Sequence, residues 1–146
     1  MKIIYRKMTI ADYEKAIDLW NTLPGMGLSS ADEKNEIEKF LVKNPHTCWV
    51  AVIENTIVGT ILGGNDGRRG YIYHLAVQKK MQKHGVGKAL LERCLKAFEE
   101  AGIQKCHLMV YCDNREGIAF WEHAGWSVRK DVFTMSKELK VKTTCH

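Results

Sequence analysis

The residues best suited to chemistry lie in one stretch, Gln82-Lys83-His84-Gly85-Val86-Gly87-Lys88-Ala89-Leu90. Glycines at the mouth of a helix let backbone approach a ligand closely. The N–H groups there, reinforced by the helix dipole, favour an anion such as phosphate. A triphosphate loop needs G-x-x-x-x-G-K-[ST]. Here Gln82 stands at its first glycine and Ala89 at its metal-binding hydroxyl, so that reading is excluded. The dinucleotide fingerprint needs G-x-G-x-x-G in the first strand-to-helix turn. Leu90 occupies its third glycine, and a run of three strand-like segments leads into the loop. What survives is a pyrophosphate held by main chain, with no metal to place and no hydrolysis. Lys79, Lys80, Lys83, His84 and Lys88 surround it as a basic cluster.

The elements that must position this loop follow from periodicity. "KIIYR" reads as an opening strand and residues 10–21 as a helix with Ile17 and Trp20 on one face. After the break "PGMGLSS", Ser30 and Glu33 have capping-box spacing, and Ile37, Phe40 and Leu41 form the stripe of a second helix ended by Asn44-Pro45. "CWVAVI" and "IVGTILGG" read as a hairpin, "NDGRRG" as a turn and "YIYHLAV" as the third strand of that run. The loop then opens a helix to about residue 101, with Val86, Leu90, Leu91, Cys94, Leu95 and Phe98 on its apolar face and Gly102 after its end. "CHLMVY" predicts a strand, Asp113 and Glu116 a short helix to about 124, and "WSVRKDVFTMSKEL" one or two closing strands. The order β-α-α-β-β-β-α-β-α-β is that of an α/β domain with a mixed sheet.

Two blocks in this order resemble a known family. Gln82-x-x-Gly85-x-Gly87, after a strand ending Leu75-Ala76-Val77, is similar to the acetyl-CoA signature [QR]-x-x-G-x-[GA] of the GNAT superfamily of N-acetyltransferases. "NREGIAFWEHAGW", residues 114–126, is similar to that family's N-x-x-A-x-x-[FL]-Y-E-x-x-G-[FYW] block. The resemblance spans nearly the whole chain and implies one GNAT-like N-acetyltransferase domain over residues 1–146. It also implies the acyl-CoA N-acyltransferase fold, a mixed central sheet flanked by helices on both faces.

The resemblance further implies that acetyl-CoA lies between "YIYHLAV" and "CHLMVY", which splay apart. Main chain at Leu75, Ala76 and Val77 would bond the pantetheine amides, and one N–H would polarise the thioester carbonyl. Gln82, Lys83, His84, Gly85, Val86, Gly87 and Lys88 would hold the pyrophosphate. Lys79, Lys80 and Lys83 would meet the 3′-phosphate. Asn114 matches the family's asparagine, which contacts the cofactor or orders the turn; a plain helix cap explains it equally well. Phe120 and Trp121 count with the cofactor-binding residues. The implied reaction is direct attack of an amine on the thioester, in a ternary complex, and needs a base and an acid. The family's usual acid is the tyrosine of F-Y-E, where this chain has Phe120-Trp121-Glu122. An indole N–H donates but does not titrate, so Tyr111, Tyr73 or water takes that role. "HLMV" at 107–110 lacks the carboxylate some relatives use as base. His74 is the preferred base, since an imidazole exchanges protons near neutral pH; a structural histidine is the competing reading, and His123 reads as helix surface. The acceptor would lie near "LPGMGLSS", with Met26, Trp20 and Trp49 as candidate lining. Arg68 and Arg69 are candidates for a carboxylate or phosphate.

Bulk composition narrows the partners. The chain has 146 residues, 45% of them apolar and 27% charged, which suits one soluble domain. No apolar run approaches the roughly 20 residues of a membrane span, and charges interrupt "MKIIYRKMTI", so no signal peptide or membrane partner is expected and a cytoplasmic location is. Five cysteines without C-x-x-C spacing disfavour both a disulfide framework and a zinc site. Cys48 and Cys94 read as buried core. The net charge of +5 suggests an anionic ligand, but no recognition helix or stacking pattern points to nucleic acid. The expected acceptor is an amine of a small molecule, peptide or protein. A homodimer through the C-terminal strands is compatible with the sequence. The rival reading is a non-catalytic acyl-CoA-binding or regulatory module.

Overall fold

The structure is a computed structural model that describes residues 2–141. The backbone forms two compact units, Met1–Asn114 and Arg115–His146. The first holds a five-stranded sheet: β1 (Ile4–Lys7), β2 (Trp49–Ile53), β3 (Thr56–Asn65), β4 (Gly70–Val77) and β5 (Cys106–Leu108). The strands lie in chain order, antiparallel except for the parallel pair β4–β5. α1 (Tyr13–Asn21) and α2 (Lys34–Lys43) connect β1 to β2, and α3 (Val86–Glu100) crosses from β4 to β5. The sheet is mixed, as the sequence predicts.

β3 shows why helices pack on both faces. Alternate residues of a strand point to opposite sides. On one side a Cβ at Gly63 would lie 2.6 Å from Cys94 Sγ of α3, and on the other a Cβ at Gly64 would lie 2.7 Å from Phe40 of α2. Helix and strand therefore meet where side chains are missing. α1 buries Ala16, Leu19 and Trp20 beside Val50, Val52 and Leu62 of the sheet. Cys48 and Cys94 are buried, and burial pushes both thiols up, that of Cys48 to about 11. They are inert core residues.

A buried carboxylate ties the start of this unit together. Arg6 donates to both oxygens of Asp12 at 2.8 Å, and Thr9 N–H adds a third bond at 2.9 Å. Burial pushes the Asp12 carboxyl up, but the Arg6 and Thr9 bonds and the charge of Arg6 outweigh it and hold it below 3.8. A carboxyl depressed in the folded state stabilises above its unfolded value, and that contribution fades as pH falls through the folded value. Asp12→Asn is therefore expected to lower stability by about 1–3 kcal/mol at neutral pH. Urea midpoints of the two proteins should converge well below pH 3.8; a constant gap would refute the linkage.

Three sequence expectations need correction. The capping box forms one residue earlier than Ser30 and Glu33: Ser29 caps a short 3₁₀ turn, Ser30–Asp32, and Asp32 bonds back to Ser29 N–H. Glu33 instead precedes α2, with extended backbone and no side-chain cap. The strand read from "CHLMVY" stops at Leu108, leaving Met109 and Tyr111 exposed. The second unit contains α4 (Arg115–His123) and no strand among its described residues. The strands read over "WSVRKDVFTMSKEL" are absent, and Val128, Val132, Phe133, Met135 and Leu139 are exposed, Phe133 to 96%. Apolar alternation supplies only the side chains of a strand; the ladder that must take up its N–H and C=O groups does not form there.

Candidate active site

β4 and β5 pair only at Gly70, Tyr71 and Ile72. Beyond them, Tyr73–Val77 runs along an edge without a strand partner on that side. Gln78 N–H donates to Val58 O of β3 at 2.8 Å. Strand alternation then turns the main-chain groups of Val77 outward to the open edge. The Val77 carbonyl there accepts from Gln82 Nε2 at 3.0 Å, so Gln82 tethers the following loop to the strand.

The loop itself is built from a 3₁₀ turn, Lys79–Met81, and two left-handed residues, Lys83 (φ 67°) and Gly85 (φ 82°). Met81 and Val86 are buried and pin its two ends. The first helical bond of α3 runs from Ala89 N–H to Gly85 O. That leaves the N–H groups of Val86, Gly87 and Lys88 without intrahelical acceptors. A Cβ at Gly85 would touch nothing within 4 Å. The mouth is therefore open space faced by main-chain donors, which fits a pyrophosphate. Lys79, Lys80, Lys83 and Lys88 are exposed and make no ion pair among the described residues.

On the same strand, His74 occupies a β-bulge. Thr60 pairs with Ala76 and Leu62 with Tyr73, so His74 and Leu75 together oppose Ile61. A bulge re-aims side chains, and here His74 takes φ 47°, a left-handed value for a residue with a Cβ. Such a conformation costs about 1–3 kcal/mol and persists only when its surroundings enforce it. They do so on every side. Thr60 Oγ1 donates to His74 O at 2.9 Å while accepting from Trp20 Nε1 at 2.8 Å. The Trp20 ring lies against the imidazole, centroids 4.7 Å apart. His74 Nε2 is 2.6 Å from Asp32 Oδ1, with both side chains only about a tenth exposed (11% and 10%). Asp32 is fixed in turn: Oδ2 accepts from Ser29 N–H at 2.9 Å, and its carbonyl accepts from Tyr13 OH at 2.7 Å.

Asp32, the carboxylate against His74, is not among the candidates that the sequence offered. Its trace was present as Ser29-x-x-Asp32, an alternative capping pattern, but nothing local connects it with a histidine 42 positions away.

The other candidates fall into three places. Tyr73 lies edge-on to Phe40, centroids 6.0 Å apart, and burial, then Tyr71, pushes its hydroxyl up, making it a poorer acid. Tyr111 is 58% exposed, its hydroxyl 2.9 Å from where a Cβ on Gly27 would sit; Asn114 Nδ2 is similarly near Gly25, at 3.5 Å. The "PGMG" loop carrying Met26 therefore meets the segment from Tyr111 to Asn114. Phe120 and Trp121 belong to the second unit, where Trp121 packs edge-on against Phe120 and Trp126. Trp20 is fully buried behind His74 and lines no acceptor pocket. Trp49 donates to His46 O, and Arg68 and Arg69 take their turn from Asp66. Among the described residues, no helix is long and apolar enough to cross a membrane.

The sequence profile of the Acetyltransferase (GNAT) family matches residues 13–126. An acetyltransferase of Pectobacterium atrosepticum is 34% identical over 128 residues, 88% of this chain and 89% of the relative. One of Sodalis glossinidius is 32% identical over the same shares. The crystal structure of the PaiA N-acetyltransferase of Thermoplasma acidophilum, in complex with coenzyme A, has a TM-score of 0.77 at 21% identity, covering 90% of this chain and 94% of that one. The chain belongs to the GNAT acetyltransferase family and is an acetyl-CoA-dependent acetyltransferase.

Proposed function

We propose that the chain transfers the acetyl group of acetyl-CoA to a primary amine of a small molecule or of a protein N-terminus, by direct attack in a ternary complex. One observation carries the reading: β4 bears both an unpaired main-chain edge leading to the N–H cradle of α3 and, on its bulge, a firmly held imidazole. In this reading, Val86, Gly87 and Lys88 N–H groups hold the pyrophosphate, with Lys79, Lys80 and Lys83 adding positive charge. Leu75, Ala76 and Val77 align the pantetheine arm along the open edge. A main-chain N–H from that edge meets the charge that develops on the thioester oxygen.

When bound, acetyl-CoA supplies an acyl carbon open to attack and a sulfur leaving group. His74 takes the proton that the ammonium must lose before its nitrogen lone pair forms the new C–N bond. The C–S electrons leave with sulfur, which takes a proton from a donor, and the nitrogen gives up its second proton to restore that donor, leaving a neutral amide and a thiol. Tyr111 is the proposed donor, being exposed where Tyr73 is packed against Phe40 and shifted away from acidity. Trp121 has no proton to give at neutral pH.

Calorimetry with acetyl-CoA, followed by thiol release across a panel of amines and peptides, tests the proposal. Saturable binding and release with primary amines are expected. No binding at millimolar acetyl-CoA would remove the loop assignment, and release with none of the amines would remove the acceptor class.

A further inference from the structure

We propose that Asp32 is the positioning residue that makes His74 a base through Nδ1. The inference rests on the reading of His74 as the proton acceptor, and adds which nitrogen acts and what selects it. An ionised carboxylate only accepts hydrogen bonds. Asp32 Oδ1, 2.6 Å from Nε2, therefore keeps the proton of the neutral ring on Nε2 and the lone pair on Nδ1. Nδ1 has no protein partner, and the one buried side-chain nitrogen or oxygen without a partner among the described residues is Gln78 Oε1. Nδ1 therefore reaches solvent while Nε2 faces the carboxylate.

Both members of the pair are held in place. Asp32 is held at Oδ2 by Ser29 N–H and at its carbonyl by Tyr13 OH. His74 is held by the Trp20 ring, the bulge and the Thr60 hydroxyl on its carbonyl. When Nδ1 takes the ammonium proton, the imidazolium forms beside a negative charge already in place. Asp32, from the turn before α2, is the charged group facing the ring. Trp20 of α1 and Thr60 of β3 are uncharged, and Tyr73 packs against Phe40.

Nitrogen-15 NMR of the histidine rings reads the tautomer without any acceptor. The His74 resonances are assigned by their loss in His74→Asn. In the wild-type neutral ring, Nε2 should be protonated and Nδ1 bare; the opposite pattern overturns the proposal, and this reading needs no variant at Asp32 to fold. Asp32→Asn, whose amide can donate to Nε2, should move the proton to Nδ1. In the thiol-release assay, with an amine that the wild type turns over, it should lower kcat by about 10²–10⁴-fold, the range of a lost acid–base contribution. KM for acetyl-CoA should stay within about twofold, because only the proton transfer is affected. Asp32→Glu should recover part of the rate. In a His74→Asn background, Asp32→Asn should cost less than about twofold more, since paired residues are not additive. If His74→Asn leaves kcat intact, the underlying base assignment fails. If His74→Asn lowers kcat while Asp32→Asn changes neither tautomer nor kcat, only the role of Asp32 fails.

Discussion

Gly87→Asp is expected to abolish acetyl-CoA binding while leaving the protein folded. Gly87 lies in the first turn of α3, where a carboxylate complements the helix dipole and is tolerated or mildly stabilising. The same carboxylate would stand among the N–H groups proposed to receive the pyrophosphate. Two like charges about 4 Å apart near a protein surface repel by about 4 kcal/mol, close to a thousandfold in Kd. Calorimetry should show no heat at concentrations that saturate the wild type, with the thermal midpoint preserved. Gly87→Ala, which adds no charge, separates bulk from electrostatics. Wild-type affinity in Gly87→Asp would mean the pyrophosphate is held elsewhere.

The second large effect is expected at His74. Asparagine is the informative replacement, because it tolerates the left-handed conformation at φ 47° and can still donate to Asp32, yet cannot take a proton. His74→Asn should therefore fold, bind acetyl-CoA within a few-fold of wild type, and lose about 10²–10⁴ in kcat. Parallel loss of acetyl-CoA affinity would make His74 a scaffold residue instead. Unchanged turnover would return the proton to water.

What could be read from the sequence was local. Gly85 and Gly87 between an apolar strand and a helical stripe point to a helix mouth built for an anion, because each step of that reading depends on near neighbours. The α1–α2 connection was read one residue late, since Ser29 and Ser30 both begin a plausible box and only packing separates Asp32 from Glu33. Asp32 beside His74 required the fold itself: the crossover after α1 brings together residues with no pattern in common. Residues 126–139 misled in the opposite way, having strand-like side chains but no ladder.

The gap opened where β5 leaves β4 has one more consequence. A surface of extended main chain presents donors and acceptors that belong to no particular amino acid. Replacing Leu75 or Val77 with another residue content in a strand leaves that lattice of amides where it was. Side chains on the bulge carry no such neutrality: the His74 ring meets a carboxylate and an indole at once. One strand thus joins a half whose main chain is indifferent to composition to a half whose side chain is matched to particular neighbours.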